Sequence, residues 1–303
     1  MSNIRTLVLG AGGLTGIGWE TGLIAGLAQQ GIELGDADRI IGSSAGSTVG
    51  ARLACGVAPE EAYRAQLDGG AHEVPAAFGF RNVVGLLGPQ LLPGSDAAIA
   101  RRIGRAALRT ATVSESERRA IIAQRVPGEE WPRKELLITA IDASTGERRV
   151  FTRDSGVSLV DAVAASCAVP TVWPAVSIGA ARYIDGGVLS STNTDLARIN
   201  NGGSANDEGG SNSRGSSYDQ GGGSADLVLV LAPIPGALRK RWSAAAQLKT
   251  LGPQVRTLLI TPDGGAKQAM GRNSLNPAFR AAAARAGREQ AKAVAAAVGR
   301  LWS

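Results

Sequence analysis

Thr6-Leu7-Val8-Leu9-Gly10-Ala11-Gly12-Gly13-Leu14-Thr15-Gly16 and Arg39-Ile40-Ile41-Gly42-Ser43-Ser44-Ala45-Gly46 are built alike: a short apolar run, then a turn of glycines and small residues. The runs have the length of buried strands and are too short for buried helices. Beyond the first turn, Leu14, Ile17, Ile24, Leu27 and Ala28 fall near helical spacing, and Gly31 supplies a stop. Beyond the second, Ala45 to Ala54 can continue as a helix. Two strand, glycine turn, helix units in succession predict an α/β fold with a mostly parallel central sheet.

The rest of the chain extends the pattern. Pro59 opens a helix to about Leu67. Residues 71–94 carry His72 and the apolar Val83 to Leu92 segment without a clean period. Ser95 is placed to cap a helix bearing Arg101, Arg102, Arg105 and Arg109, and Ser114 with Glu117 forms a capping box for the next. Leu136–Ile141 and Arg148–Thr152 read as paired strands around Ser144-Thr145-Gly146. Ser158 and Asp161 open a helix, and Ala181–Ile184 is a strand running into Asp185-Gly186-Gly187. Leu227–Leu231 and Arg256–Ile260 are buried strands, and an Ala-rich helix runs from Pro277 to about Leu301. Between them, residues 200–225 are Gly, Ser, Asn and Asp with almost nothing apolar, which predicts a flexible polar insertion within one domain spanning 1–303.

Composition narrows the function. The 303 residues are 44% hydrophobic and 19% charged, ordinary for a chain with a sizeable core. No stretch has the ~18 apolar residues a spanning helix needs, and the start matches a signal peptide poorly, so a cytoplasmic location is expected, with peripheral membrane contact as a secondary expectation. The net charge of +6 permits an anionic partner, but with 4% aromatics and no recognised motif, nucleic acid is not one. Cys55 and Cys167 suit neither a disulfide framework nor zinc, and no metal or cofactor is expected. The chain has one histidine, His72, so any histidine mechanism must use it.

Three motifs carry candidate chemistry. Gly42-Ser43-Ser44-Ala45-Gly46 matches Gly-x-Ser-x-Gly, in which small residues let a strained turn expose the central serine. The pentapeptide is common, and Ser44 could be a plain turn serine. Its strand-turn-helix setting favours a nucleophile, because the helix N-terminus stabilises alkoxide and oxyanion. Gly10 to Gly16 offers backbone N–H groups at another helix end. A dinucleotide fingerprint would need glycine at position 15, where Thr15 stands, so the spacing suits an oxyanion hole at Gly12 and Gly13 better than NAD. Asp185 leaves a strand into two glycines, as a base would, although an isolated Asp-Gly-Gly is more often only a turn.

The three motifs together, in this order, resemble the patatin-like phospholipases, and the likeness covers most of residues 5–232, including Ala165-Ser166 to Pro170, Asn193 and Asp195-Leu196-Ala197. The resemblance implies a three-layer α/β/α fold and a histidine-free Ser-Asp dyad. It assigns Ser44 as nucleophile, Asp185 as general base and the amides of Gly12, Gly13 and Leu14 as oxyanion donors, with Gly42, Gly46, Gly186 and Gly187 as motif glycines. The implied activity is hydrolysis of acyl esters of lipids through an acyl-Ser44 intermediate; the rival is an idle member that binds acyl groups or a partner. Thr15 departs from the basic residue common in the family's glycine loop. The insertion is a flap or a tolerated loop, the Val83–Leu92 segment lines acyl access or packs in the core, and the arginine stripe meets anionic lipid or only solvent.

Overall fold

The computed structural model describes residues 4–68, 80–198 and 226–302. His72 and the 200–225 insertion lie outside the described residues. Five parallel strands form the backbone of one sheet: β1 (Arg5–Leu9), β2 (Arg39–Gly42), β3 (Glu135–Asp142), β7 (Leu227–Leu231) and β8 (Arg256–Ile260). Three further strands run antiparallel to their neighbours: β4 (Arg148–Phe151), β5 (Val176–Ile178) and β6 (Ala181–Asp185). The hydrogen-bonded path runs β5-β6-β3-β2-β1-β7-β8, and β4 also pairs with β3.

Both faces of the sheet are covered, unequally. Along β7, Leu227, Leu229 and Leu231 enter one apolar cluster and Val228 and Val230 another, as a strand's alternation requires. The first cluster is the thick one. It contains α1 (Gly13–Ala28), α2 (Ala45–Ala54), α7 (Leu159–Ser166) and α10 (Arg280–Trp302). The second is closed by the short α8 (Ala244–Leu248) and by single helical turns at Thr194–Arg198 and Lys249–Leu251. A third cluster sets α5 (Asp96–Arg109) against Ile141 of β3 and Ile184 of β6. The remaining helices are α3 (Pro59–Leu67), α4 (Phe80–Leu91), α6 (Glu115–Ala123) and α9 (Gly264–Met270). The caps read from sequence are formed: Ser95, Ser114 with Glu117, and Ser158 each accept a first-turn N–H.

Helix α1 is buried from Leu14 to Leu27, and α10 lies directly on it. The contact is made by small residues. A Cβ on Gly22 would stand 1.9 Å from the Ala284 carbonyl oxygen, and one on Gly26 would stand 2.5 Å from Ala291 Cβ. Trp19 closes the seam by donating its indole N–H to Gln290 Oε1 at 2.8 Å. Helix α4 occupies the stretch that showed no period in sequence. Its apolar residues do not share a face: Leu86 packs inward, whereas Val84, Leu87 and Leu91 are exposed.

Register on β3 decides the geometry at the sheet's upper end. Ile138 pairs with Gly42 on one strand and Phe151 on another, and Ala140 pairs with both Arg149 and Asp185. One residue can bond two strands only on opposite sides, so β4 holds one edge of β3 while β2 and β6 share the other. Antiparallel β6 therefore runs head-on toward the C-terminal end of β2.

Candidate active site

The turn after β2 places Ser44. Its backbone sits at φ 53°, ψ −113°, a left-handed conformation that costs a non-glycine residue about 1–3 kcal/mol. Several contacts hold it there. Ser44 N–H donates to Ser166 Oγ at 2.9 Å, Ser47 Oγ donates to Ser44 O at 2.6 Å, and Gly46 N–H donates to Gly10 O at 3.0 Å. The flanking glycines are needed for contact: a Cβ on Gly46 would lie 2.0 Å from Leu9 O, and one on Gly42 2.6 Å from Ser47 Cα.

Asp185, the last residue of β6, meets this turn from the opposite direction. Its carboxylate lies within interaction range of the Ser44 side chain, and its Oδ1 accepts the Gly187 N–H at 2.7 Å. Burial raises its pKa to about 6 against the opposing pull of Ser44 and of the Gly187 N–H. Gly186 crosses β3 so closely that a Cβ would stand 2.1 Å from Thr139 O, and a Cβ on Gly187 would meet Ala11 Cβ at 2.6 Å. Asn193 ties the two turns together: its Nδ2 donates to Ser43 Oγ at 2.8 Å and to Gly186 O at 3.0 Å.

The Gly12–Leu14 turn opens beside Ser44 because β1 is the parallel neighbour of β2, Leu9 pairing with Gly42. Thr15 N–H donates to Ser274 O and Gly16 N–H to Gly12 O, whereas the N–H groups of Gly12, Gly13 and Leu14 find no protein acceptor among the described residues. Gly13 takes φ +59°, and a Cβ there would stand 2.6 Å from Ser274 O. The 271–276 loop thus presses on the turn from outside. Thr15 is wholly buried and does not line the cavity.

Ser44, Asp185, Gly12, Gly13 and Gly187 share a cavity of about 280 Å³ with the apolar Leu86, Val169, Pro170, Val188, Ile234 and Leu275, and with Arg272 at its wall. Leu14 lies with Ser44 and Gly13 on a smaller adjoining pocket. Among the described residues of the Val83–Leu92 segment, Leu86 alone lines the cavity. A second cavity, of about 270 Å³, lies among Trp131, Lys134, Leu136, Val150 and Arg153 near the start of β3 and shares no residue with the first.

Sequence reading did not find Glu20. This carboxyl is wholly buried under the glycine turn and accepts the Gly10 N–H at 2.8 Å; burial pushes its pKa well above the ordinary value. An acid inside an otherwise apolar helix was the available signal.

A strained serine at a strand-to-helix corner, with a carboxylate at its hydroxyl and open amides beside it, has the layout of a lipolytic acyl hydrolase. The chain belongs to the patatin-like phospholipase family, whose model matches residues 7–198. Among solved structures, VipD from Legionella pneumophila aligns with 98% of this chain and 67% of its own at 12% identity, with TM-score 0.46. The type III effector protein ExoU aligns with 98% of this chain and 53% of its own, also at 12% identity, with TM-score 0.35. The chain therefore spans about half of ExoU. No curated protein matches. Among the described residues, no helix is long and apolar enough to cross a membrane.

Proposed function

We propose that the protein cleaves acyl esters of lipids with Ser44 as nucleophile and Asp185 as its general base. The observation that carries this reading is the buried Asp185 carboxylate, its pKa raised to about 6, standing within interaction range of the Ser44 side chain on the same cavity. A carboxylate so raised is a stronger base than an exposed one, and it remains ionised at neutral pH.

Asp185 takes the hydroxyl proton as Ser44 Oγ attacks the ester carbonyl. The carbonyl oxygen becomes an oxyanion and accepts hydrogen bonds from the amides of Gly12, Gly13 and Leu14, which are already oriented. The tetrahedral intermediate collapses, the C–O bond to the alcohol breaks, and Asp185 returns the proton to the departing alkoxide. Water, deprotonated by Asp185, then hydrolyses acyl-Ser44 and regenerates both residues. The apolar wall from Leu86 to Leu275 is suited to an acyl chain. A fluorophosphonate probe should label the protein at Ser44. Absence of labelling, with the fold intact by circular dichroism, would leave an idle acyl-binding member instead.

A further inference from the structure

Two segments that line the Ser44 cavity also carry apolar side chains that the fold does not bury. Leu91 is 73% exposed, and Val84, Leu87 and Leu92 of the same segment are also exposed, as are Ile234 and Leu238. The two segments are joined: Arg239 donates to Gln90 O at 3.2 Å and Leu92 O at 2.7 Å, and Trp242 donates to Asp96 at 2.9 Å. Leu86 on α4 and Ile234 on the second segment both line the Ser44 cavity. The two segments that carry the exposed leucines thus each contribute a residue to the wall of the Ser44 cavity.

The charge on these segments is one-sided. Residues 80–109 and 234–241 contain eight Arg and Lys and one acid, Asp96, which is engaged by Arg241. Arg102 donates to Pro93 O at 2.8 Å, which keeps its cation beside the end of α4, and Lys240 is exposed. Exposed leucines among unopposed cations fit one chemistry, acyl chains beneath anionic head groups. A protein partner of ordinary composition would leave the cations unmatched.

We propose that the outer face of α4 and residues 234–241 seat the mouth of the Ser44 cavity on an anionic lipid bilayer. The proposal rests on the lipolytic reading for its purpose, but its test does not need turnover. In full-length Ser44→Ala protein, which leaves the vesicles intact, binding is measured to phosphatidylcholine vesicles with and without phosphatidylglycerol. Binding should be at least about tenfold tighter with the anionic lipid at low salt, and Leu87→Ser with Leu91→Ser should weaken it by about tenfold. Lys240→Glu should weaken it as well, less so at high salt. In the Ser44 background the same substitutions should leave hydrolysis of a short water-soluble ester unchanged. Equal binding to neutral and anionic vesicles, or undiminished binding by the leucine variant, would overturn the proposal. So would a solution dimer that the leucine variant dissolves, since the surface would then be a contact between copies. A chain that binds vesicles yet fails fluorophosphonate labelling would keep this surface and lose the dyad.

Discussion

Gly42 and Asp185 lie on the same edge of β3, opposite Ile138 and Ala140, so the ends of β2 and β6 face each other two residues apart. The Ser44 turn and the Asp185 carboxylate are thus aligned by backbone register, with Asn193 bridging the gap.

Ser44→Gly should abolish ester hydrolysis and probe labelling while raising stability by about 1 kcal/mol. Glycine takes φ 53° without strain worth about 1–3 kcal/mol, offset in part by its freer unfolded chain. Thermal unfolding with parallel activity assays checks both effects; a destabilised, active variant would contradict the elbow.

The pH dependence follows from Asp185. Its folded pKa, about 6, is above its ordinary value, so the ionised base appears only as pH rises, and kcat/KM should climb through an apparent pKa near 6. The sign for stability is the reverse. Below about pH 3 the group is protonated whether folded or not, and as pH rises to 6 the fold bears the burial of a charge. Relative to Asp185→Asn, the wild type should lose on the order of 3 kcal/mol between about pH 3 and pH 7. Asp185→Asn should also be inactive. Urea titrations at both pH values and a kcat/KM profile test these statements.

His72→Ala should leave kcat/KM within about tenfold of wild type, or about 1.4 kcal/mol, because Ser44 already has a carboxylate partner. A thousandfold fall with an intact fold would make the imidazole the base.

Asn193→Ala should cost about 1–3 kcal/mol, since it strips donors from buried Ser43 and Gly186 and leaves alanine at φ 49°. Fluorophosphonate labelling should slow by at least about tenfold. Unchanged labelling would show that the two turns hold their places without it.

Gly22→Ala should destabilise by about 2–3 kcal/mol, because the new methyl meets Ala284 O at 1.9 Å and must part α1 from α10. A melting temperature within one or two degrees of wild type, about 0.5 kcal/mol or less, would contradict the seam.

What the sequence disclosed was what short-range chemistry marks. Glycine turns at Gly10–Gly16 and Gly42–Gly46, the caps at Ser95, Ser114 and Ser158, and the runs of β7 and β8 announce themselves within a few residues. Ser44, Asp185, Gly12 and Gly13 stood out as motif residues for the same reason, whereas Leu14 and the roles given to these residues came from the resemblance to the family. The register that sets β6 against the end of β2 is a relation between residues far apart in the chain, and no local pattern encodes it. Glu20 went unmarked because its burial comes from the elements around α1. Helix α4 was missed because leucines facing both cavity and solvent erase the period by which helices are recognised.

The hold of Ser274 on the Gly12–Leu14 turn also sets an order of assembly. Ser44 is made well before Ser274, whose carbonyl presses on Gly13 and accepts the Thr15 N–H. Elongation at about 5–20 residues per second leaves the serine on the nascent chain for on the order of ten seconds or more before its partner loop exists. A chain ending before Ser274 should accordingly resist labelling. The Ser44 turn would then reach its folded setting only after residues 271–276 are made.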